Sequence, residues 1–136
     1  MIFLDTNVIS ETLKPRPSAR VIDWLSAHDA MISLPSITLA ELAYGIERIR
    51  PDEHAARLEK GLSAWRARFR DQIQLFTEAD ALTYGRLMGS AARSGHSMSI
   101  PDGVIAAMTL NRGWRLATRN IKDFEPAGIE LIDPWR

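Results

Sequence analysis

MIFLDTNVISE, residues 1–11, begins with an apolar run, Ile2 to Leu4, that meets an acid at Asp5. So short a run with so abrupt an end suits a buried strand. Asn7 to Leu13 then suits a short helix, stopped by Lys-Pro-Arg-Pro at 14–17. The alternation continues along the chain. Ser18 is placed to cap a helix carrying Val21, Ile22 and Leu25, and Met31 to Leu34 reads as a second strand. Pro35-Ser36 starts a long helix to Ile49. Pro51 breaks it and begins another, whose Leu58, Leu62, Trp65 and Phe69 recur at helical spacing. Ile73 to Phe76 reads as a strand, and Thr77 caps a helix to about Ser94. After a loop at 94–97, Ser99 and Pro101 open a helix to about Asn111, with Gly113 as its stop. Arg115 to Ala117 and Glu130 to Ile132 complete the strands. Strands alternating with helices predict an α/β sandwich with a mostly parallel central sheet.

The chain has 136 residues, 46% hydrophobic and 25% charged, which suits one domain spanning 1–136 with a single core. No apolar run is long enough to span a bilayer, so no membrane partner is expected. The first residues lack the basic start and apolar stretch of a signal peptide, and the expected location is the cytoplasm. Cysteine is absent, which excludes disulfides, thiolate nucleophiles and cysteine-based zinc sites. His28, His54 and His96 are scattered, which argues against a histidine-rich metal site. The 17 basic and 17 acidic residues balance, so no global field draws the chain to nucleic acid. Lysine occurs only at Lys14, Lys60 and Lys122. Arginine therefore supplies most of the positive charge, densest at Arg66, Arg68 and Arg70. These read either as a solvated helix face or as phosphate contacts.

Four acids fall beside apolar segments. Asp5 follows the first strand, where an open α/β sheet binds its ligands. Glu41 lies within ITLAELAYGI, Asp102 in IPDGVIAAM and Asp123 in ATRNIKDF. A buried carboxylate needs a counter-charge. A divalent cation would serve several acids at once, and Mg²⁺ or Mn²⁺ prefers such oxygen ligands. Each acid also has a structural reading. Thr38-Leu-Ala-Glu41 fits a capping box, and Asp102 could neutralise a helix N-terminus. Asp5 could be a turn residue and Asp123 a surface acid. Spacing alone does not decide among these. Other chemistries find no motif: there is no G-x-S-x-G elbow, no phosphate-binding G-x-x-x-x-G-K-[ST] and no H-E-x-x-H.

MIFLDTNVISE, SITLAELAYGI, PDGVIAAM and ATRNIKDF, taken in that order, resemble the PIN-domain ribonucleases, specifically the VapC-type toxins of toxin–antitoxin pairs. The resemblance spans essentially the whole chain. It implies a compact α/β/α fold with a central parallel sheet and an endoribonuclease dependent on Mg²⁺ or Mn²⁺. It also implies a cognate antitoxin and a toxin homodimer, with operator DNA reached only through the antitoxin. Matched by motif, Asp5, Glu41 and Asp102 would be the principal acids and metal ligands. Thr6 and Asn7 would support the first acid, and Thr118 would offer a hydroxyl. Many relatives place an aspartate two residues after that threonine. Here Asn120 stands there, and Asp123 follows as the fourth acid. Arg119, or Arg66, Arg68 and Arg70, would contact substrate.

The expected chemistry is hydrolysis by a metal-activated water. Two alternatives stand beside it: a non-catalytic module acting on operator DNA through an antitoxin complex, and a metal-dependent phosphatase. Trp24, Trp65 and Trp135 are expected either in the core or, if exposed, in a groove for an amphipathic antitoxin segment.

Overall fold

Three strands of three residues, one of four and one of two carry the whole sheet. A computed structural model describes residues 1–136. The elements are β1 (Ile2–Leu4), α1 (Thr6–Thr12), α2 (Ala19–His28), β2 (Ile32–Pro35), α3 (Ser36–Arg48), α4 (His54–Arg68), β3 (Ile73–Gln74), α5 (Glu78–Arg93), α6 (Ile100–Arg112), β4 (Arg115–Ala117), α7 (Ile121–Phe124) and β5 (Glu130–Ile132). The strands are all parallel, in the order β3-β2-β1-β4-β5. The expected α/β sandwich is the observed fold, and its sheet is wholly parallel.

The period of two along β1 divides the interior. Ile2 and Leu4 face one core, with Val8, Ile9, Val21, Leu25, Ile32, Leu34, Leu42 and Leu62. Phe3 faces the other, with Ile105, Ala106, Met108, Leu116 and Phe124. Helices α1 to α4 thus cover one face of the sheet, and α6 and α7 the other, with α5 packed on α6. Burial on both faces explains why the strands read as continuous apolar runs.

The chain builds outward from β1 to β3, then returns to lay β4 on the other side of β1. The strand order therefore reverses between β1 and β4, and their carboxyl ends flank the crevice where such sheets bind ligands. Asp5 and Thr118 are the residues that leave those two strands.

Several boundaries differ from expectation, each for a physical reason. The second strand runs from Ile32 to Pro35, because Met31 closes a 3₁₀ turn and is exposed. The third stops at Gln74, because its only neighbour, β2, pairs Pro35 with Gln74 and then enters α3. Leu75 and Phe76 are left exposed. The first helix begins at Thr6, one residue earlier, because Asp5 caps it. After Pro51, helix α4 starts at His54. Gly113 ends α6 in the left-handed conformation, φ 66°, which glycine adopts without strain. No helix is long and apolar enough to cross a membrane.

Candidate active site

Asp5 is almost fully buried at the carboxyl end of the central strand. Its backbone N–H donates to the Ala117 carbonyl (2.9 Å), extending the β1–β4 ladder by one rung. One carboxylate oxygen accepts the Thr6 backbone N–H at 2.8 Å. The other accepts the Thr118 hydroxyl at 2.8 Å and the Asn7 side-chain amide at 3.3 Å. Thr118 is itself wholly buried, and its hydroxyl oxygen accepts the Asn120 backbone N–H at 3.0 Å. The Arg119 backbone N–H donates to the Asn7 side-chain oxygen at 3.3 Å. Asn7 and Thr118 thus stitch the loop after β4 to the acid after β1.

Thr6 acts differently from the expected support of Asp5. Only its backbone serves Asp5; its hydroxyl donates to Glu41 at 2.7 Å. Glu41 lies in the second turn of α3, since that helix starts at Ser36 after Pro35. The capping-box reading of Thr38 and Glu41 therefore fails. The Thr38 hydroxyl instead donates to the Leu4 carbonyl at 3.0 Å, pinning α3 to β1. Asp102 sits in the first turn of α6, where its backbone N–H donates to the Ser99 hydroxyl at 3.3 Å. Asp102 does lie at a helix start, and it also faces the other acids.

The charges report that proximity. Burial pushes the Asp102 carboxyl up, the Asp5 charge adds to it, and Asp123 and Glu41 contribute, so that it reaches about 6. Burial also raises Asp5, against the hydrogen bonds from Thr118, Thr6 and Asn7, with Asp123 adding repulsion. Glu41 is raised by burial, opposed by the Thr6 hydroxyl and assisted by Asp5. No lysine or arginine figures among these influences.

The four acids thus meet electrostatically but unequally. Asp123 lies on α7, a four-residue helix, and is exposed. Its backbone N–H donates to the Asn120 carbonyl at 3.1 Å. No three acidic or histidine side chains close into a preformed cage. Oxygen donors in a loose cluster suit Mg²⁺ or Mn²⁺, which keep several waters and bind through one or two carboxylates.

Arg66, Arg68 and Arg70 are not brought to the acids. They end α4 and its following turn, all exposed, and Arg68 grips Asp29 through two bonds of 3.2 and 2.7 Å. Arg119 does border the site. Trp24, Trp65 and Trp135 are all part-buried against the α1–α4 core. Trp65 stacks on Phe69, donates its indole N–H to Thr12 at 3.0 Å, and lines an apolar cleft between α2 and α4.

The PIN-domain family model matches residues 2–128. Among similar proteins, VapC ribonuclease Y4jK of Sinorhizobium fredii is 34% identical, over 99% of this chain and 98% of its own. Toxin FitB of Neisseria gonorrhoeae is 34% identical over 99% of each chain. The solved structure of DNA-bound VapBC from Salmonella typhimurium superposes with a TM-score of 0.85 at 26% identity, covering 98% of this chain and 97% of that one.

Proposed function

The chain belongs to the PIN-domain family, among the VapC-type toxins, and from that premise we propose that it cuts RNA endonucleolytically with Mg²⁺ or Mn²⁺ bound at Asp5, Glu41 and Asp102. The observation that carries this reading is the gathering of Asp5, Glu41 and Asp102 at the carboxyl end of β1, each raised by burial and with no lysine or arginine among the influences on it. Such a cluster lacks a cation. When bound, the ion supplies charge stabilisation for phosphodiester hydrolysis and makes water a better nucleophile near neutral pH.

The chain's own residues set the geometry. Thr118, Asn7 and the Thr6 backbone fix both oxygens of Asp5, leaving it little rotational freedom. The Thr6 hydroxyl orients Glu41. Ser99 starts α6 so that Asp102 projects from its first turn. Asp123 stands at the exposed rim, with Asn120 as a neutral neighbour in place of an acid. Arg119 is the substrate contact favoured by position, whereas Arg66, Arg68 and Arg70 lie elsewhere.

The partners proposed are RNA, a cognate antitoxin and a second copy of the chain, with operator DNA engaged only through the antitoxin. The resemblance to DNA-bound VapBC supports the last of these. Leu75, Phe76 and Leu82, each exposed before or within α5, support burial against another chain.

The purified protein, freed of any partner, should cleave RNA with Mg²⁺ or Mn²⁺ and stop on addition of EDTA. Asp5→Asn and Asp102→Asn should fold and lose cleavage by about a thousandfold or more. Full activity in either variant would sink the assignment. Turnover of small phosphate esters with RNA left intact would favour a phosphatase instead.

A further inference from the structure

Arg119 is a cation with no carboxylate in direct contact, although its charge reaches Glu11 and helps to lower that carboxyl. It forms no ion pair, and its one hydrogen bond is through the backbone, to Asn7. Its guanidinium lies over the Trp135 ring, 5.0 Å from the centroid. Trp135 is held in turn. One side packs on the core beneath the sheet, and its backbone N–H donates to the Asp133 carboxylate at 2.9 Å. Arg119 and Asp133 border a polar cavity of about 480 Å³ that is also lined by Asn120, Lys122, Asp123, Glu125 and Arg136, and Trp135 lies behind Arg119 outside that lining. Arg136 is matched by Asp133 at 3.5 Å; Arg119 and Lys122 are unmatched.

An arginine with every side-chain N–H unused, held over an indole face, has lost part of its freedom before meeting a ligand. Its planar fork suits a phosphate held by two hydrogen bonds. Lys122 is exposed on α7 with no such platform. We infer that Trp135 is a positioning residue that presents Arg119 to a backbone phosphate of the RNA beside the cleavage site. The inference rests on the nuclease reading above and adds to it a residue that touches no substrate.

The test measures binding apart from cleavage. In the Asp102→Asn protein with EDTA, a labelled mixed-sequence single-stranded RNA is titrated at several salt concentrations. Arg119→Ala should weaken binding about tenfold. It should also flatten the slope of log affinity against log salt by about 0.7, the value for one lost phosphate contact on a single strand. Trp135→Ala should reproduce both changes, and Trp135→Phe, which keeps a ring face, should restore the slope. If Trp135→Ala does not fold, Trp135→Leu fills the core without a π face and takes its place. A parental slope in Trp135→Ala or Trp135→Leu overturns the inference. So does unchanged binding in Arg119→Ala, or absence of RNA binding by the Asp102→Asn protein. Cleavage by the unsubstituted protein with Mn²⁺ judges the nuclease reading separately.

Discussion

Replacing Asp102 with asparagine should stabilise the metal-free protein. Asp102 has an ordinary carboxyl value of 3.8 and reaches about 6 when folded, first through burial and then through Asp5, Asp123 and Glu41. A raised carboxyl value means that the folded state holds its proton to higher pH than the unfolded chain. Stability therefore falls as pH rises from 3.8 to about 6, and the deficit is complete above that. Each pH unit corresponds to about 1.4 kcal/mol, which bounds the penalty near 3 kcal/mol. Asp102 is part-exposed, and solvent screening reduces this to about 1–2 kcal/mol. For a chain of this length that is a rise in melting temperature of about 4–7 °C near neutral pH. Thermal melts in EDTA across the acid-to-neutral range measure it. The gain should vanish near pH 4, where the native carboxyl is protonated. Added Mn²⁺ should raise the melting temperature of the unsubstituted protein well above that of the variant. A variant that is destabilised equally at both ends of the range would refute the electrostatic reasoning.

Two further outcomes follow from other buried polar groups, one within the site and one outside it. Thr118→Val removes the hydroxyl that donates to Asp5 and accepts from Asn120, so it should weaken Mn²⁺ binding about 10–100-fold by calorimetry and lower stability by about 1–3 kcal/mol. Arg112→Ala should cost about 3–5 kcal/mol in denaturant titrations, because it strips the nearly inaccessible Asp80 of its 3.0 Å partner. Burial pushes Asp80 up, but hydrogen bonds from Arg112, the Thr77 backbone and Asn111 outweigh it and hold the carboxyl at about 2. That pair's stabilisation is therefore present above pH 3.8 and lost as pH falls through about 2, so the variant's deficit should shrink in acid.

Asp5 was legible because it ends an apolar strand, at the sheet edge where such folds bind ligands; its capping of α1 was not, because the helix reading began at Asn7. Asp102 was legible as a helix-start acid from Ser99 and Pro101, but its role toward the other acids was not. Nothing local to PDGVIAAM says that α6 begins opposite β1. Glu41 shows how a local motif misleads. Thr38-x-x-Glu41 satisfies the capping-box pattern, yet Pro35 had already started the helix, and the threonine hydroxyl went to a strand carbonyl. Helix α7 escaped detection because four residues hold no period. The Arg66–Arg70 cluster was dense in sequence, but sequence density says nothing about which side of the sheet a helix covers. The crevice between β1 and β4 depends on strand order, which arises from the crossover after β3 and leaves no mark on either strand.

The cost of the acid cluster also bears on how the site responds to partners. Burial raises Asp5, Glu41 and Asp102 alike; the Asp5 charge adds to both Glu41 and Asp102, and Asp123 adds to Asp5 and Asp102. Whatever cation enters the crevice relieves all three penalties together. A divalent ion does so and supports hydrolysis. A basic side chain from an antitoxin would do so as well, while occupying the same space. On this reasoning, metal and antitoxin should compete, and each should stabilise the chain less when the other is bound. The Asp102→Asn variant, with one penalty already removed, should gain less from either. An antitoxin complex that bound Mn²⁺ as tightly as the free chain would contradict the idea that a shared charge deficit couples the two.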